Sequence, residues 1–264
     1  FCLSRGLGDV YKRQVYNDRH HAVVPVSFDG VRLFTPGLSP ALTLRAHQFP
    51  AIARVIYQGS AGLVHDTGAG KTYEAIVGVR ERQRLRLSHK PCFVVQKNKV
   101  EDFRKAFLRA YPDARLLVAD TKNLTGSKRR EFIARCATGN PTAIIMSREA
   151  FKSIPVSAER LTAYLKEEEI SLEIAIEDAK KSGEDDRTVK QIEAELENTR
   201  ERRKEQAAKI GQDRGLTYED TGIDYLVLDE ARAYRKGPVI SSLPGMADAG
   251  SARALDLLLK LGYH

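Results

Sequence analysis

The chain has 264 residues, of which 42% are hydrophobic and 30% charged, so it is long enough to bury one core and a small second module. No apolar stretch approaches the ~20 residues that cross a bilayer, and the N-terminus lacks a secretory pattern. We therefore expect no membrane partner and a cytoplasmic location. Three scattered cysteines, Cys2, Cys92 and Cys136, have no CxxC spacing, which indicates reduced, buried thiols rather than a disulfide framework or a zinc site.

The net charge of +8 is unevenly distributed along the chain. Residues 157–211 carry eleven basic and fifteen acidic side chains, whereas the remainder, without residues 1–14, carries 29 basic and 19 acidic ones. A basic excess of this kind is consistent with salt-sensitive contacts to a phosphate backbone. Many basic proteins bind no nucleic acid, so the charge by itself assigns no partner.

The first fourteen residues are set apart from the fold. Residues 9–14, DVYKRQ, correspond to the translation of a transposase mosaic-end sequence that is used to attach sequencing adapters. We interpret residues 1–14 as a sequencing-adapter artefact; the alternative is a genuine basic tail. The artefact predicts that the protein continues upstream. The stop at residues 261–264, within a helical pattern, predicts that it continues downstream too.

Five apolar runs of strand length alternate with helical patterns. None of the runs alternates strictly with polar residues, which is typical of strands buried on both faces of a parallel sheet. The predicted strands are residues 62–65, 92–95, 115–118, 143–146 and 225–228, and the predicted helices are residues 48–58, 71–87, 100–110 and 128–136. This order predicts an α/β, doubly wound fold in which helices cover both faces of a mostly parallel sheet.

A segment of different composition separates the fourth and fifth predicted strands. Residues 158–181 and 187–209 contain no glycine or proline and are joined by the polar stretch 182–186, which predicts two antiparallel helices. Each helix has a narrow apolar stripe that can cover the other, as in a coiled coil. The stripes are Leu161, Leu165, Leu172 and Ile176 on the first helix and Val189, Ile192 and Leu196 on the second. This insertion, residues 157–211, divides a domain predicted over residues 41–156 and 212–264, after a lead-in at 15–40.

Residues 65–72, HDTGAGKT, stand between a predicted strand and a predicted helix, as a phosphate-binding loop requires. Glycines let backbone N–H groups turn toward phosphates, Lys71 reaches the β- and γ-phosphates, and Thr72 places a hydroxyl on Mg²⁺. The predicted ligands are ATP and Mg²⁺. The predicted nucleotide-binding residues are Asp66, Thr67, Gly68, Ala69, Gly70, Lys71 and Thr72. His65 replaces the first glycine of the strict motif; it either touches the nucleotide or packs under the sheet.

Residues 225–232, YLVLDEAR, form an apolar strand that ends in two adjacent carboxylates. Adjacent acids at a strand end face in different directions, so the two carboxylates are expected to have different roles. Asp229 is predicted to hold Mg²⁺, and Glu230 to polarise the attacking water as a general base. An Asp-Glu pair is a weak signal alone. Together with the loop it predicts an ATPase site in which Glu230 and Lys71 are catalytic.

These motifs resemble those of a known family. DTGAGKT at residues 66–72 and LVLDEAR at residues 226–232 are similar to motifs I and II of superfamily 2 helicases of the DEAD/DEAH-box type, most closely the Swi/Snf-like branch. LRAHQ at residues 44–48 resembles that branch's LRxYQ element, which implies that Gln48 recognises adenine. Residues 94–98 and 145–147 match the places of motifs Ia and Ib, which touch the nucleic-acid backbone in the family.

The resemblance covers about residues 41–264 apart from the helical insertion, and in detail it is similar to the helicase part of large phage and mobile-element proteins that also carry a methyltransferase. It implies the first RecA-like domain of a motor that couples ATP hydrolysis to movement on nucleic acid, DNA rather than RNA. A second RecA-like domain, which supplies an arginine to the ATP site, is expected beyond residue 264. This chain alone is therefore expected to hydrolyse ATP very slowly.

One departure keeps other functions open. Arg232 stands where the DEAH motif has histidine, which bears on the contact that links hydrolysis to motif III in the family. Two alternatives remain. One is a restriction-type or other P-loop NTPase, and the other is a degenerate ATP-binding scaffold.

Overall fold

A computed structural model describes residues 26–119, 124, 127–183, 186–208, 215–237 and 250–262. The segment interpreted as an adapter artefact, residues 1–14, lies outside the described residues, as does Cys2. Within the described part of the chain, no helix is both long enough and apolar enough to cross a bilayer.

Four parallel strands form the sheet, in the order β2-β3-β1-β4. They are β1 (Pro91–Val95), β2 (Leu116–Ala119), β3 (Ala143–Ser147) and β4 (Tyr225–Leu228). Strand β1 is central, and its Cys92 pairs with Ile144 of β3 on one side and with Leu226 of β4 on the other. The α/β prediction is confirmed, and four of the five predicted strands are present.

The prediction of a strand at residues 62–65 is wrong, because this segment has no regular structure. A strand is stabilised by a ladder of hydrogen bonds to a neighbour, and no backbone hydrogen bond joins residues 62–65 to another described strand. The side chain of Val64 is 93% exposed, so the apolar run is also not covered. The glycine-rich loop therefore follows an irregular segment, and β4 is the last strand at its end of the sheet.

Eight α-helices lie in the described part of the chain. They are α1 (Gln48–Tyr57), α2 (Lys71–Arg84), α3 (Val100–Ala110), α4 (Ser127–Thr138), α5 (Arg148–Ser153), α6 (Ala158–Ser182), α7 (Asp186–Ala207) and α8 (Ala252–Leu261). The bounds predicted for α3 are confirmed at both ends, whereas α2 ends three residues earlier than predicted. Arg86, with a φ of 60°, takes the left-handed conformation that helices do not continue.

Helices cover both faces of the sheet, because successive side chains of each buried strand point to opposite sides. Phe93, Val95 and Ile145 pack with α1, α2 and α3 on one face. Val94 and Met146 pack with α4, α5 and α8 on the other face. The uniformly apolar strands are explained by this double coverage.

The predicted helical hairpin is present as α6 and α7. Cross-helix ion pairs, from Lys180 to Glu193 at 3.0 Å and from Arg200 to Glu169 at 2.9 Å, show the antiparallel arrangement. A separate apolar cluster lies between the two helices. It comprises Leu172, Ala175, Ile176, Ala179, Val189, Ile192 and Leu196. The hairpin therefore has a small core of its own.

Tyr111 gives a test of the core between α2 and α3. Its hydroxyl is buried and has no hydrogen-bond partner among the described residues, and burial raises the pKa of the phenol from 10.0 to about 12. Because the pKa of the folded state lies above that of the unfolded chain, ionisation of the unfolded phenol favours unfolding at alkaline pH. The contribution of Tyr111 to the unfolding free energy is therefore complete below pH 10 and is lost as the pH rises through about 12. We expect Tyr111→Phe to change the unfolding free energy at pH 7 by less than about 1 kcal/mol.

Urea unfolding of both proteins between pH 7 and pH 11 checks this prediction. The wild type should lose stability relative to Tyr111→Phe only in the alkaline range. Parallel stability curves for the two proteins across the whole range would contradict it.

Candidate nucleotide site at the carboxyl edge of the sheet

The position of α2 places the glycine-rich loop at the carboxyl edge of the sheet. At the C-terminal end of α2, Gln83 donates a hydrogen bond of 2.9 Å to the carbonyl of Thr142, which immediately precedes β3. Beside it, the guanidinium of Arg82 lies 4.4 Å from the ring centre of Tyr225, the first residue of β4. Fourteen helical residues span about 21 Å, so Lys71 at the other end of α2 lies toward the edge where β4 ends.

The loop takes its shape from two glycines. Gly68 has a φ of +85° and Gly70 a φ of +94°, both in the left-handed region that other residues rarely adopt. A Cβ at Gly70 would lie 2.5 Å from Nε2 of Gln48, whereas a Cβ at Gly68 would meet open space. Gly68 is therefore needed for its conformation, and Gly70 for its conformation and for room.

Lys71 is folded back onto the loop. Its ammonium donates hydrogen bonds of 2.6 Å to the carbonyl of His65 and 2.9 Å to that of Asp66. The residues Asp66, Thr67 and Gly68 are exposed. The first N–H groups of a helix have no intrahelical acceptor, and α2 begins at Lys71, followed by Thr72. A cation, free amides and a helix N-terminus thus meet at an exposed loop, which is the arrangement that binds phosphate groups.

Gln48 contacts the loop directly. This side chain is buried; its Oε1 accepts a hydrogen bond of 2.8 Å from the amide of Arg45. Its Nε2 donates to the carbonyl of Gly70 at 3.3 Å. Both ends of the amide are therefore engaged within the protein. The adenine-recognising role of Gln48 stays a prediction, and its observed contacts position the loop.

Two residues that the sequence reasoning did not select also lie against the loop. Glu74, in the first turn of α2, is fully buried, and His65 Nδ1 lies 3.0 Å from its Oε1. His47 Nε2 lies 3.0 Å from the carbonyl of Ala69 and 3.9 Å from Glu74 Oε1. The ring of His65 is partly exposed and contacts Glu74 on α2, so packing under the sheet is not observed. Contact of His65 with a nucleotide stays a prediction.

The two acids of the second motif follow β4 and are exposed. The amide of Asp229 donates to the carbonyl of Val94 at 2.9 Å, which extends the pairing of β4 with β1 by one residue. Glu230 has a φ of 54°, an uncommon value for a residue with a Cβ. Its Oε2 lies 3.2 Å from Nε of Arg232, whose side chain is 80% exposed. Such an exposed ion pair contributes little stability, but it occupies one side of the carboxylate.

Arg148 is a further residue that the sequence reasoning missed. Its Nη2 donates to the carbonyl of Asp229 at 2.7 Å and to that of Glu230 at 3.2 Å. Arg148 begins α5, directly after β3, so the available signal was a basic residue at the carboxyl end of a predicted strand. This contact supports the unusual backbone of the acid pair.

The loop and the acid pair share an edge without direct bonds. Among the described residues, no hydrogen bond or ion pair joins residues 65–72 to Asp229 or Glu230. Thr72 and Asp229, the predicted Mg²⁺ ligands, are therefore not linked to each other. Hydrogen bonds from Gln48 and Lys71 hold the loop, and a hydrogen bond from Arg148 holds the acid pair.

The segments matched to motifs Ia and Ib differ in exposure. After β1 the chain forms an exposed 3₁₀ turn at Lys97–Lys99. By contrast, Ser147 is fully buried, and its hydroxyl accepts a hydrogen bond of 3.1 Å from the amide of Ala150. Ser147 caps α5 and does not reach the surface, so in this region Lys97 and Lys99 are available to a ligand and Ser147 is not.

The fold and the site together define an α/β domain with a parallel sheet. An exposed loop with glycines and a lysine leads into α2, and these features are consistent with a RecA-like helicase domain. Residues 55–262 match the family described as "Probable helicase domain". The chain belongs to this family. None of the curated proteins compared with the sequence matches it.

The packing at Gly70 predicts a specific loss of stability. Gly70→Ala should lower the unfolding free energy by about 1–2 kcal/mol for the left-handed backbone, and by a further amount for the contact with Gln48 Nε2. Gly68→Ala is the matched control, because it has the same kind of backbone but no close neighbour. Urea unfolding should find Gly70→Ala the less stable variant.

The double variant Gly70→Ala/Gln48→Ala separates these two effects. It should regain the part of the loss that comes from the contact, in a double-mutant cycle with Gln48→Ala. Equal losses for the two glycine variants would show that Gln48 does not confine the loop.

Proposed function

We propose that this chain is the ATP-binding and hydrolysing domain of a superfamily 2, Swi/Snf-like helicase or translocase that moves on DNA. The observation that carries the proposal is the exposed loop at the N-terminus of α2, with two left-handed glycines and the ammonium of Lys71. It lies at the same edge of the sheet as Asp229 and Glu230, in a chain of a helicase family.

The loop suits a nucleoside triphosphate. Lys71 now donates to two neutral carbonyls, and an anionic phosphate oxygen is the stronger acceptor for an ammonium. The open space beside Gly68 gives phosphate groups access to the backbone. In this proposal residues 66–72 hold the phosphates of ATP, and Gln48 lies beside the adenine. Thr72 and Asp229 supply oxygen ligands for Mg²⁺, which when bound neutralises phosphate charge.

Glu230 is the proposed general base. It is exposed at the end of β4, so it can accept a proton from water. Arg148 donates hydrogen bonds to the carbonyl groups of Asp229 and Glu230, and Arg232 holds one carboxylate oxygen. This arrangement leaves the other oxygen of Glu230 for the attacking water. Arg232 thus takes a positioning role at the place where the DEAH motif has histidine.

Nucleic acid would contact the same edge. Lys97 and Lys99 are exposed just after β1, and Arg235 and Lys236 are exposed just after the acid pair. Basic side chains at the edge that binds nucleotide are suited to a phosphate backbone. We propose duplex DNA as the track.

Lys71→Ala tests the nucleotide site. We expect the wild-type chain to bind ATP in the presence of Mg²⁺ and the variant to bind it about 10–100-fold more weakly, because one charge-assisted hydrogen bond contributes about 1.5–3 kcal/mol. Isothermal titration calorimetry measures both. Lys180→Ala, on the hairpin, is the control and should bind like the wild type. Equal affinity in Lys71→Ala and Lys180→Ala would exclude this loop as the ATP site.

Glu230→Gln tests the proposed base. The amide keeps the shape of the side chain but cannot accept the proton, so ATP binding should persist while single-turnover hydrolysis falls about 10²-fold or more. Glu193→Gln is the control, because Glu193 lies on the hairpin, where its carboxylate pairs with Lys180. Hydrolysis should rise when duplex DNA is added, and less with RNA.

The same assay separates the alternatives. Hydrolysis that depends on Glu230 but responds to neither DNA nor RNA would favour another P-loop NTPase. In a protein that also contains the second RecA-like domain expected from the resemblance, ATP binding without any hydrolysis that depends on Glu230 would favour a degenerate scaffold.

A further inference from the structure

Three metal-ligating side chains from three separate segments converge behind the glycine-rich loop. His47 immediately precedes α1, His65 is the first residue of the loop, and Glu74 lies in the first turn of α2. His65 Nδ1 is 3.0 Å from Glu74 Oε1 and 3.1 Å from Oε2, and His47 Nε2 is 3.9 Å from Oε1. One ligand atom from each residue lies within 4.8 Å of the other two.

The burial of Glu74 calls for a compensating charge. Its side chain has no exposed surface, and a buried carboxylate is costly unless hydrogen bonds and a positive charge compensate it. The nearby ammonium of Lys71 donates to loop carbonyls. The imidazole of His65 hydrogen-bonds to Glu74, and that of His47 lies 3.9 Å from it. A neutral imidazole donates a hydrogen bond without supplying charge. A divalent cation among the three side chains would supply it.

The geometry and the ligand types favour Zn²⁺. In a tetrahedral site with metal–ligand bonds of about 2.0–2.1 Å, neighbouring ligand atoms lie about 3.3 Å apart. The two separations from Glu74 Oε1, 3.0 Å to His65 and 3.9 Å to His47, lie on either side of this value, and the two histidine nitrogens lie within 4.8 Å of each other. Two imidazoles and one carboxylate are an established zinc ligand set that leaves a fourth position for water. Mg²⁺ and Ca²⁺ prefer oxygen ligands, so the Mg²⁺ that is predicted to bind with ATP would not prefer this cluster.

Access and protonation are also compatible with a metal. The side chains of His47 and His65 are 44% and 36% exposed, which provides a path from solvent to Glu74. A carbonyl only accepts hydrogen bonds, so His47 Nε2 is the donor in its contact with the carbonyl of Ala69. A metal on Nε2 would replace that proton, and the proton would move to Nδ1 of the same ring. The loop would then lose its hydrogen bond from His47.

We propose that His47, His65 and Glu74 form a transition-metal site for Zn²⁺, separate from the Mg²⁺ position of the proposed ATPase. Because His47 is shared between the metal and the carbonyl of Ala69, metal binding changes the hydrogen bonding of the glycine-rich loop. The proposal depends only on these three side chains and stands whether or not the loop binds ATP.

Metal titration of the full chain tests the site. Protein treated with a chelator and then dialysed is titrated with Zn²⁺ by calorimetry and with Co²⁺ by visible absorption, both without nucleotide. We expect a site of 1:1 stoichiometry and a Co²⁺ spectrum of four-coordinate character. His47→Ala and His65→Ala should each weaken Zn²⁺ binding by at least about tenfold and remove the Co²⁺ spectrum.

His89→Ala is the matched control, because His89 also contacts a carboxylate, that of Asp224 at 3.2 Å, but belongs to no cluster of three ligands among the residues that the structure describes. It should bind Zn²⁺ like the wild type. The double variant His47→Ala/His65→Ala controls for Zn²⁺ binding by histidines elsewhere in the chain. Only the Zn²⁺ binding that this variant loses is assigned to the site.

Three results would overturn the proposal: no Zn²⁺ binding by the wild type, undiminished binding in the double variant, or an equal loss in His89→Ala. Glu74→Gln should also weaken binding, and its thermal unfolding is measured alongside. If Glu74→Gln unfolds, the decision rests on His47→Ala, whose side chain is the most exposed of the three and whose folded state circular dichroism verifies.

Discussion

The position in which α2 packs on the sheet is the constraint on which the rest of this site depends. Its far end is fixed by the contact of Gln83 with Thr142. Along its length, Gly78 allows an approach to α1 so close that a Cβ there would lie 2.8 Å from Val55. This contact brings the start of α1, with His47 and Gln48, against the loop that begins α2. Packing of the two helices therefore gives the glycine-rich loop its supports.

Charge at the carboxyl edge is arranged in two self-contained groups. The cation of Lys71 rests on neutral carbonyls, which are weaker acceptors than a phosphate. The carboxylate of Glu230 rests beside Arg232, and its backbone is held by Arg148. Within the described part of the chain, no ion pair joins Lys71 to a carboxylate. The edge therefore keeps both a cation without an acidic partner in that part and an accessible acid, and this separation is what a site for an anionic substrate and a proton acceptor requires.

The sequence predicted those features that depend on local patterns. Apolar runs buried on both faces identified β1 to β4, and the bounds of α3 were predicted at both ends. The run at residues 62–65 failed because its composition is that of a strand but no neighbour pairs with it. Arg148 and the cluster around Glu74 were missed because they depend on contacts between distant segments. His47 and Glu74 are 27 residues apart, so no local spacing marks them. The roles assigned to Gln48, Thr72, Asp229 and Glu230 stay predictions.

The departure of the loop from the strict phosphate-binding motif has a physical explanation. His65 stands where the motif has its first glycine, and Glu74 lies buried on the helix beyond. A glycine at position 65 would leave this carboxylate without its hydrogen bonds of 3.0 and 3.1 Å, and an unpartnered buried carboxylate is strongly unfavourable. Conversely, without Glu74 the imidazole would have no acceptor among its observed partners. The two residues are therefore one structural unit: the histidine is tolerated in the loop because the helix supplies an acid for it.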